Sequence, residues 1–311
     1  MPFESRTSAI LAALVLVAAP SLSNRSDAQQ APAQPPPSED VVFVGAGDIA
    51  NCELLTGAKA TATLLDGIEG AVFTLGDHAY LRGTDSEFKR CYDPTWGRHK
   101  ARTHPTPGNH DYLTAHGRPY FEYFGENAGP GERGYYSFDL GAWHIISLNS
   151  SVVAALPAQA KWLRDDLAAH PVDCVLAYWH APIFSSGPHA PDATMKDTWS
   201  ILYKAGVDIV LNGHDHIYER FAPQDDKGKA DPEHGIRQFT VGVGGGGVYK
   251  FGKTAANSYL TEPGTKKKAI IRKALAGEGR SKVEGWTPRY VAFPQRGYTS
   301  RDLKAASRLS L

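Results

Sequence analysis

The sequence predicts an α/β protein built largely on parallel sheet. Three observations carry that reading. Short runs that are apolar at nearly every position recur along the chain. Stretches with helical spacing separate them, and several runs end on acidic or imidazole side chains. Runs without polar alternation suit strands covered on both faces. Strands interleaved with helices of 10–15 residues suit crossover connections.

In order, the first strand is "VVFVGAG" (41–47), followed by an amphipathic helical stretch at 55–68 and a second strand, "AVFTLG" (71–76). Further on come "YYSFDL" and "WHIISLN", a helix at 157–170 and the strand "CVLAYW" (174–179). A helix at 194–205 and the strand "DIVLNG" (208–213) close the alternation. "GVGGGG" (242–247) matches the dinucleotide pattern G-x-G-x-x-G, but "VYKFGK" follows it instead of a helix start. The motif counts only in a strand–turn–helix context, so this stretch is read as a glycine-rich turn.

At 311 residues the chain holds one large domain or two ordinary ones, and 42% hydrophobic residues with 31 glycines suit a globular, loop-rich fold. The net charge is zero, which gives no reason to expect a nucleic-acid partner. The zero conceals an asymmetry: residues 258–311 carry 12 Lys and Arg against 4 Asp and Glu, and the rest carries 21 against 29. That basic, weakly patterned tail is expected to pack poorly on the domain, because sparse apolar residues do not offset the entropy of ordering.

Residues 1–28 read as an export signal, with Arg6 ahead of the apolar run Ala9–Ala19 and small residues at Ser26-Asp27-Ala28. That run falls well short of the ~20 residues a bilayer requires. Residues 29–40, with the run "QQAPAQPPPSED", read as a flexible leader. The expected destination is periplasmic or extracellular, with no membrane association once the signal is removed. An oxidising compartment allows Cys52 and Cys91 to pair. Cys174, which opens an apolar run, is read as a buried small hydrophobe.

The run ends carry the chemistry. The first strand ends at Gly47-Asp48 and the second at Gly76-Asp77. "CVLAYW" ends at His180, and "DIVLNG" at His214-Asp215-His216. "TPGNHD" presents Asn109-His110-Asp111 after a Pro/Gly turn. Any one of these alone is more economically read as a capping acid or a satisfied core histidine. Together they place ligand-type side chains at the carboxyl edge of one sheet, where open α/β folds bind ligands. Carboxylate, carboxamide and imidazole suit hard to borderline metals, and they are too many for one ion. Two ions sharing a carboxylate would clamp the attacking and departing oxygens of a displacement at phosphorus.

Gly47-Asp48, Gly76-Asp77-His78-Ala79-Tyr80, Gly108-Asn109-His110-Asp111, His180 and Gly213-His214-Asp215-His216 resemble the five blocks of the metallophosphoesterases, most closely the purple acid phosphatase branch. The resemblance runs from about Val41 to Asn257, defining a domain at 41–257. It implies a four-layer α/β/β/α sandwich with a dinuclear site at the strand ends. It assigns Asp48, Asp77, Tyr80 and His216 to a first metal and Asp77, Asn109, His180 and His214 to a second, with Asp77 bridging. His110, with His189 nine residues past His180, would contact the phosphate or protonate the departing oxygen. Many members carry a histidine two residues after the first aspartate. Here Ile49-Ala50 follow Asp48, and Tyr80 compensates with a phenolate suited to Fe(III), beside a divalent Fe, Zn or Mn. Ala181 stands where bacterial relatives often carry a second histidine, and the pair of closing strands expected after Asn257 is not recognisable. His78 is read as a bystander, its other reading being an exposed histidine touching phosphate.

The implied activity is phosphomonoester hydrolysis on a small phosphate-ester substrate, by in-line attack of hydroxide generated at the metals. A phosphodiesterase or nucleotidase on the same site, and a non-catalytic metal- or phosphate-binding protein, remain as alternatives.

Overall fold

The computed structural model describes residues 41–189 and 192–258. The signal and leader readings (1–28 and 29–40) and the tail from Tyr259 lie outside the described residues. So do the expected closing strands.

The chain opens with strand β1 (Phe43–Ala46), a short β2 (Ala50–Asn51), helix α1 (Leu55–Asp66), β3 (Ala71–Leu75) and a short β4 (Ala79–Tyr80). One helical turn, α2 (Asp85–Glu87), leads through tight turns to β5 (Thr103–Thr106) and α3 (Arg118–Phe124). Then come β6 (Tyr136–Leu140), β7 (Trp143–Ser147), α4 (Leu156–Ala169) and β8 (Cys174–Tyr178). Helix α5 (Lys196–Lys204), β9 (Ile209–Asn212), β10 (Tyr218–Arg220) and β11 (Arg237–Val241) complete the elements.

The main strands divide between two sheets. One is three-stranded and parallel, in the order β1-β3-β5. The other runs β10-β11-β9-β8-β7-β6, with a parallel centre and antiparallel strands at both edges. This corrects the expectation of one sheet edge: the polar run ends are split between two sheets. Strand pairing is non-local, so apolar runs do not reveal which of them share a ladder.

Alternation in the larger sheet explains why its strands are apolar throughout. Ile145, Leu176, Tyr178, Leu211, Phe239 and Val241 join one core with Phe43, Val44, Phe73 and Leu75 of the smaller sheet. Their neighbours Ile146, Val175, Ala177 and Val210 pack into a second core with Leu163 of α4 and Trp199 and Leu202 of α5. Ala58, Ala62 and Leu65 of α1 join the first core, as do Phe88, Tyr92, Tyr120 and Phe124. The layering is therefore the α/β/β/α sandwich that the resemblance implied. Each fully buried Leu, Ile or Phe contributes roughly 1.5–3 kcal/mol, so two cores hold the strand ends firmly.

Cys52 and Cys91 form a disulfide with Cα atoms 5.3 Å apart. It ties the segment after β2 to the turns that follow β4. Cys174 is buried and outside that bridge.

Candidate dinuclear metal centre

Every block delivers its side chains just past a strand's carboxyl end. Asp48 follows β1, Asp77 follows β3, Asn109 follows β5, His180 follows β8, and His214 and His216 follow β9. Asp48, Asp77 and His214 have φ of 62°, 53° and 69°. Left-handed backbone at a non-glycine residue costs about 1–2 kcal/mol, so neighbouring bonds must hold these turns. Asp48 and Ile49 donate their amides to the Gly76 and Asp77 carbonyls, each at 3.0 Å. The Asp77 amide donates to Asp111 Oδ2 at 2.9 Å. At Gly76, φ is 83° and a Cβ would lie 2.6 Å from the Gly108 nitrogen and from His180 Nδ1, so glycine is required there.

The ligand atoms gather into two groups that share one oxygen. The Tyr80 hydroxyl donates to Asp48 Oδ1 at 2.8 Å and lies 3.0 Å from His216 Nε2. It is also 3.2 Å from Asp77 Oδ2. In the second group His180 Nε2 lies 2.9 Å from Asn109 Oδ1, 3.2 Å from His214 Nδ1 and 3.2 Å from Asp77 Oδ2. Ligands about 2.1 Å from one ion stand roughly 3 Å or slightly more from one another, and these separations of 2.8–3.2 Å are close to that spacing. The seven residues that the resemblance assigned to metals are brought together, and Asp77 Oδ2 is common to both groups.

The charge arrangement also calls for cations. Asp48 and Asp77 are 0% and 2% exposed, and their ion-pair partners are histidines. Burial opposes ionisation of Asp48, but the charge and hydrogen bond of His216 hold it below the usual carboxylate range. Asp77 is likewise lowered: burial opposes ionisation, and His180 outweighs it. Burial disfavours charge on His180 too, yet Asp77 and then Asp48 push its pKa up to about 10. Burial, then the two carboxylates, push the Tyr80 phenol well above its ordinary value. His214 is pushed down to about 4, first by burial and then by the charge on His180. The buried acids thus demand positive charge that protonated histidine must otherwise supply, and the O/N donor set fits metal ions.

His180 Nδ1 lies 2.6 Å from the Leu75 carbonyl, which can only accept, so Nε2 is left facing the cluster. His110 follows the same rule. Its Nδ1 donates to the Leu81 carbonyl at 2.6 Å, and its Nε2 stands 4.0 Å from Asp77 Oδ2. His189 gives Nδ1 to Asp215 Oδ1 at 3.0 Å and stacks on His214 with centroids 4.4 Å apart. Both candidate acids therefore border the metal-type residues with Nδ1 engaged.

Several positioning residues have no assignment in the sequence reading. Asp111 accepts the amides of Asp77, His78 and Gly108. His78 is fully buried, between Thr74 Oγ1 at 2.6 Å and Asp111 Oδ2 at 2.9 Å. Four aromatic rings, those of Phe88, Tyr92, Tyr120 and Phe124, surround it. It is thus placed away from any phosphate, as the bystander reading expected, but it has a structural role: it locks the carboxylate that shapes the Asp77 turn. Asp215 takes the Ser185 hydroxyl and His189. His216 Nδ1 is buried without a hydrogen-bond partner among the described residues, and its ring is aligned instead by Tyr249, parallel to 7° at 4.2 Å. The adjacency of Asp111 and Asp215 to ligand residues was the available signal; Tyr249 had none. The turn at 242–247 buttresses Asp48, since Gly244 and Gly246 donate to the Gly47 and Asp48 carbonyls at 2.8 and 2.7 Å. A Cβ on Gly242 would meet the Asp215 carbonyl oxygen at 2.0 Å.

A family model described as calcineurin-like phosphoesterase matches residues 30–218. Purple acid phosphatase 18 of Arabidopsis thaliana is 30% identical over 232 residues, covering 68% of this chain and 51% of its own. Acid phosphatase type 7 of Homo sapiens is 30% identical over 191 residues, covering 50% and 42%. The chain spans about half the length of these curated relatives. Among solved structures, purple acid phosphatase PPD1 from yellow lupin (Lupinus luteus) seeds has a TM-score of 0.56 at 18% identity, over 72% of this chain and 48% of that one. GAP50, titled the anchor in the inner membrane complex of Plasmodium, has a TM-score of 0.54 at 15% identity, over 71% and 77%. These two likenesses concern the fold. The family match covers more than half of the sequence, and with the sequence relatives it leads to one conclusion: the chain belongs to the calcineurin-like phosphoesterase family, in its purple acid phosphatase-like branch.

Proposed function

We propose that this protein is an exported phosphomonoesterase with a dinuclear metal centre. The observation that carries the reading is the pair of ligand groups meeting at Asp77 Oδ2. Asp48, Asp77, Tyr80 and His216 would hold one ion; Asp77, Asn109, His180 and His214 would hold the other. When bound, the ions supply Lewis acidity at the phosphate and acidify a water.

The chain's own residues supply orientation and protons. Asp111 and His78 hold the turn that carries Asp77. His110, oriented by the Leu81 carbonyl, offers Nε2 to a phosphate oxygen or, when protonated, to the departing alkoxide. The Leu81 segment is steadied in turn by Glu87, whose carboxylate accepts the amides of Leu81, Arg82 and Thr84. His189, oriented by Asp215, borders the other ligand group through its stack on His214.

Tyr80 in the first group supports Fe(III) there, with a divalent Fe, Zn or Mn in the second. Export is supported by the pattern of residues 1–28 and by the Cys52–Cys91 disulfide, which belongs to an oxidising compartment. The described residues contain no helix long and apolar enough to cross a membrane. The test is turnover of p-nitrophenyl phosphate beside bis-p-nitrophenyl phosphate by metal-loaded protein. Preference for the monoester is expected. Preference for the diester would move the substrate class, and turnover of neither would refute an esterase.

A further inference from the structure

A second histidine–carboxylate group lies at the opposite end of the larger sheet. His144 stands near the start of β7, paired with Val175 at the start of β8, whereas His180 follows the end of β8. The intervening strand places the two groups about 16 Å apart. His144 is buried, with Nδ1 2.8 Å from Asp139 Oδ1 and Nε2 2.8 Å from Asp166 Oδ2. One turn along α4 and just past its end, His170 brings Nδ1 within 3.6 Å of Asp166 Oδ1. Its ring lies parallel to that of His144 to 16°, with centroids 4.2 Å apart. One ligand atom each from His144, Asp166 and His170 fall within 4.8 Å of one another.

We propose that this cluster is a separate site for one divalent transition metal of the zinc type. His144 Nε2, an Asp166 carboxylate oxygen and a His170 nitrogen are the protein ligands, and a fourth position faces solvent. Two imidazoles and one carboxylate are a zinc donor set. The outer partners are already in place. Asp139 receives the Nδ1 proton of His144, giving the carboxylate–histidine arrangement that fixes a ligand's tautomer. Ser137 donates to Asp166 Oδ1 at 2.7 Å, which orients the second ligand. Asp139 and Asp166 supply two negative charges against neutral imidazoles, so a dication is balanced locally. It replaces the proton shared by His144 Nε2 and Asp166, which is released to solvent. The His170 ring, 40% exposed, exchanges its 2.8 Å bond to the Asp166 carbonyl for the ion. The site is independent of the proposed esterase reaction, since it shares no residue with that centre.

The experiment uses the full chain with its catalytic centre already loaded. Zinc is added, excess is removed by desalting, and bound metal is counted by elemental analysis. Wild type is expected to hold one zinc more than His170→Ala, whose half-exposed side chain can be removed without opening a core. Asp139→Asn is expected to keep the site with about 10- to 100-fold weaker affinity, as loss of an outer partner does. Equal zinc in wild type and His170→Ala overturns the proposal, as does an Asp139→Asn affinity equal to wild type. Either outcome leaves the two-ion reading intact, because the catalytic ions are counted separately in His170→Ala.

Discussion

Replacing both Cys52 and Cys91 by alanine should destabilise the domain by about 4 kcal/mol. The two residues are 39 apart in sequence, and closing a loop of about 40 residues removes roughly 13 cal/mol/K from the unfolded chain. At 25 °C that is about 4 kcal/mol. Cys91 is 2% exposed, so its sulfur also leaves a small void worth up to about 1 kcal/mol. For a domain of this size each kcal/mol moves the melting temperature by about 2–4 °C, giving an expected fall of about 8–16 °C. Urea unfolding followed by tryptophan fluorescence, with metal-loaded wild type and double variant side by side, measures the difference directly. Reduced wild type should behave like the double variant. A difference below about 1 kcal/mol would refute the reasoning, and would mean that the unfolded chain already keeps these segments together.

The remaining predictions concern the candidate centre. Asp77→Ala should lose both ions, because Asp77 Oδ2 borders both ligand groups; two bound equivalents by elemental analysis would disprove the sharing. Tyr80→Phe should abolish any visible absorption of protein loaded with oxidised iron while the fold survives, and a persisting band would exclude Tyr80 as the chromophore. His78→Ala should cost about 2–4 kcal/mol in urea, since it empties a buried aromatic cage and strands Asp111; a loss under 0.5 kcal/mol would contradict the locking role. Metal-free protein should lose stability as pH rises from 6.5 towards about 10. Burial disfavours the His180 charge, but Asp77 raises the pKa to about 10, so its contribution is full below 6.5 and disappears above that range. Metal-loaded protein should lack this decline, and equal pH profiles for the two forms would show that His180 carries no such charge.

The ligand residues were legible in the chain because their signal is local. Each apolar run ends within a few residues of Asp48, Asp77, His180 or His214, and a carboxylate or imidazole at a strand's carboxyl end has a limited range of uses. The disulfide was legible in part, since Cys174 opens an apolar run and so left Cys52 and Cys91 as the pair to expect if the chain meets an oxidising compartment. The resemblance implied two sheet layers, but which strands share a sheet was not legible in the apolar runs. Apolar runs record burial on both faces, and burial does not say which strand lies alongside. His78 was read as a bystander to the chemistry, but its supporting role was not legible, because a histidine suits a surface and a core equally; only Thr74, Asp111 and four aromatic rings closing around it decide for the core. Likewise the Asp48 carboxylate accepts the amide of His214, 166 residues away, and Tyr249 aligns His216 by ring stacking. The sequence by itself determined which side chains were available and at which strand ends. The tertiary structure alone decided which atoms meet, because hydrogen bonds and ring contacts act over a few ångströms and only packing two sheets together brings such distant residues within that range.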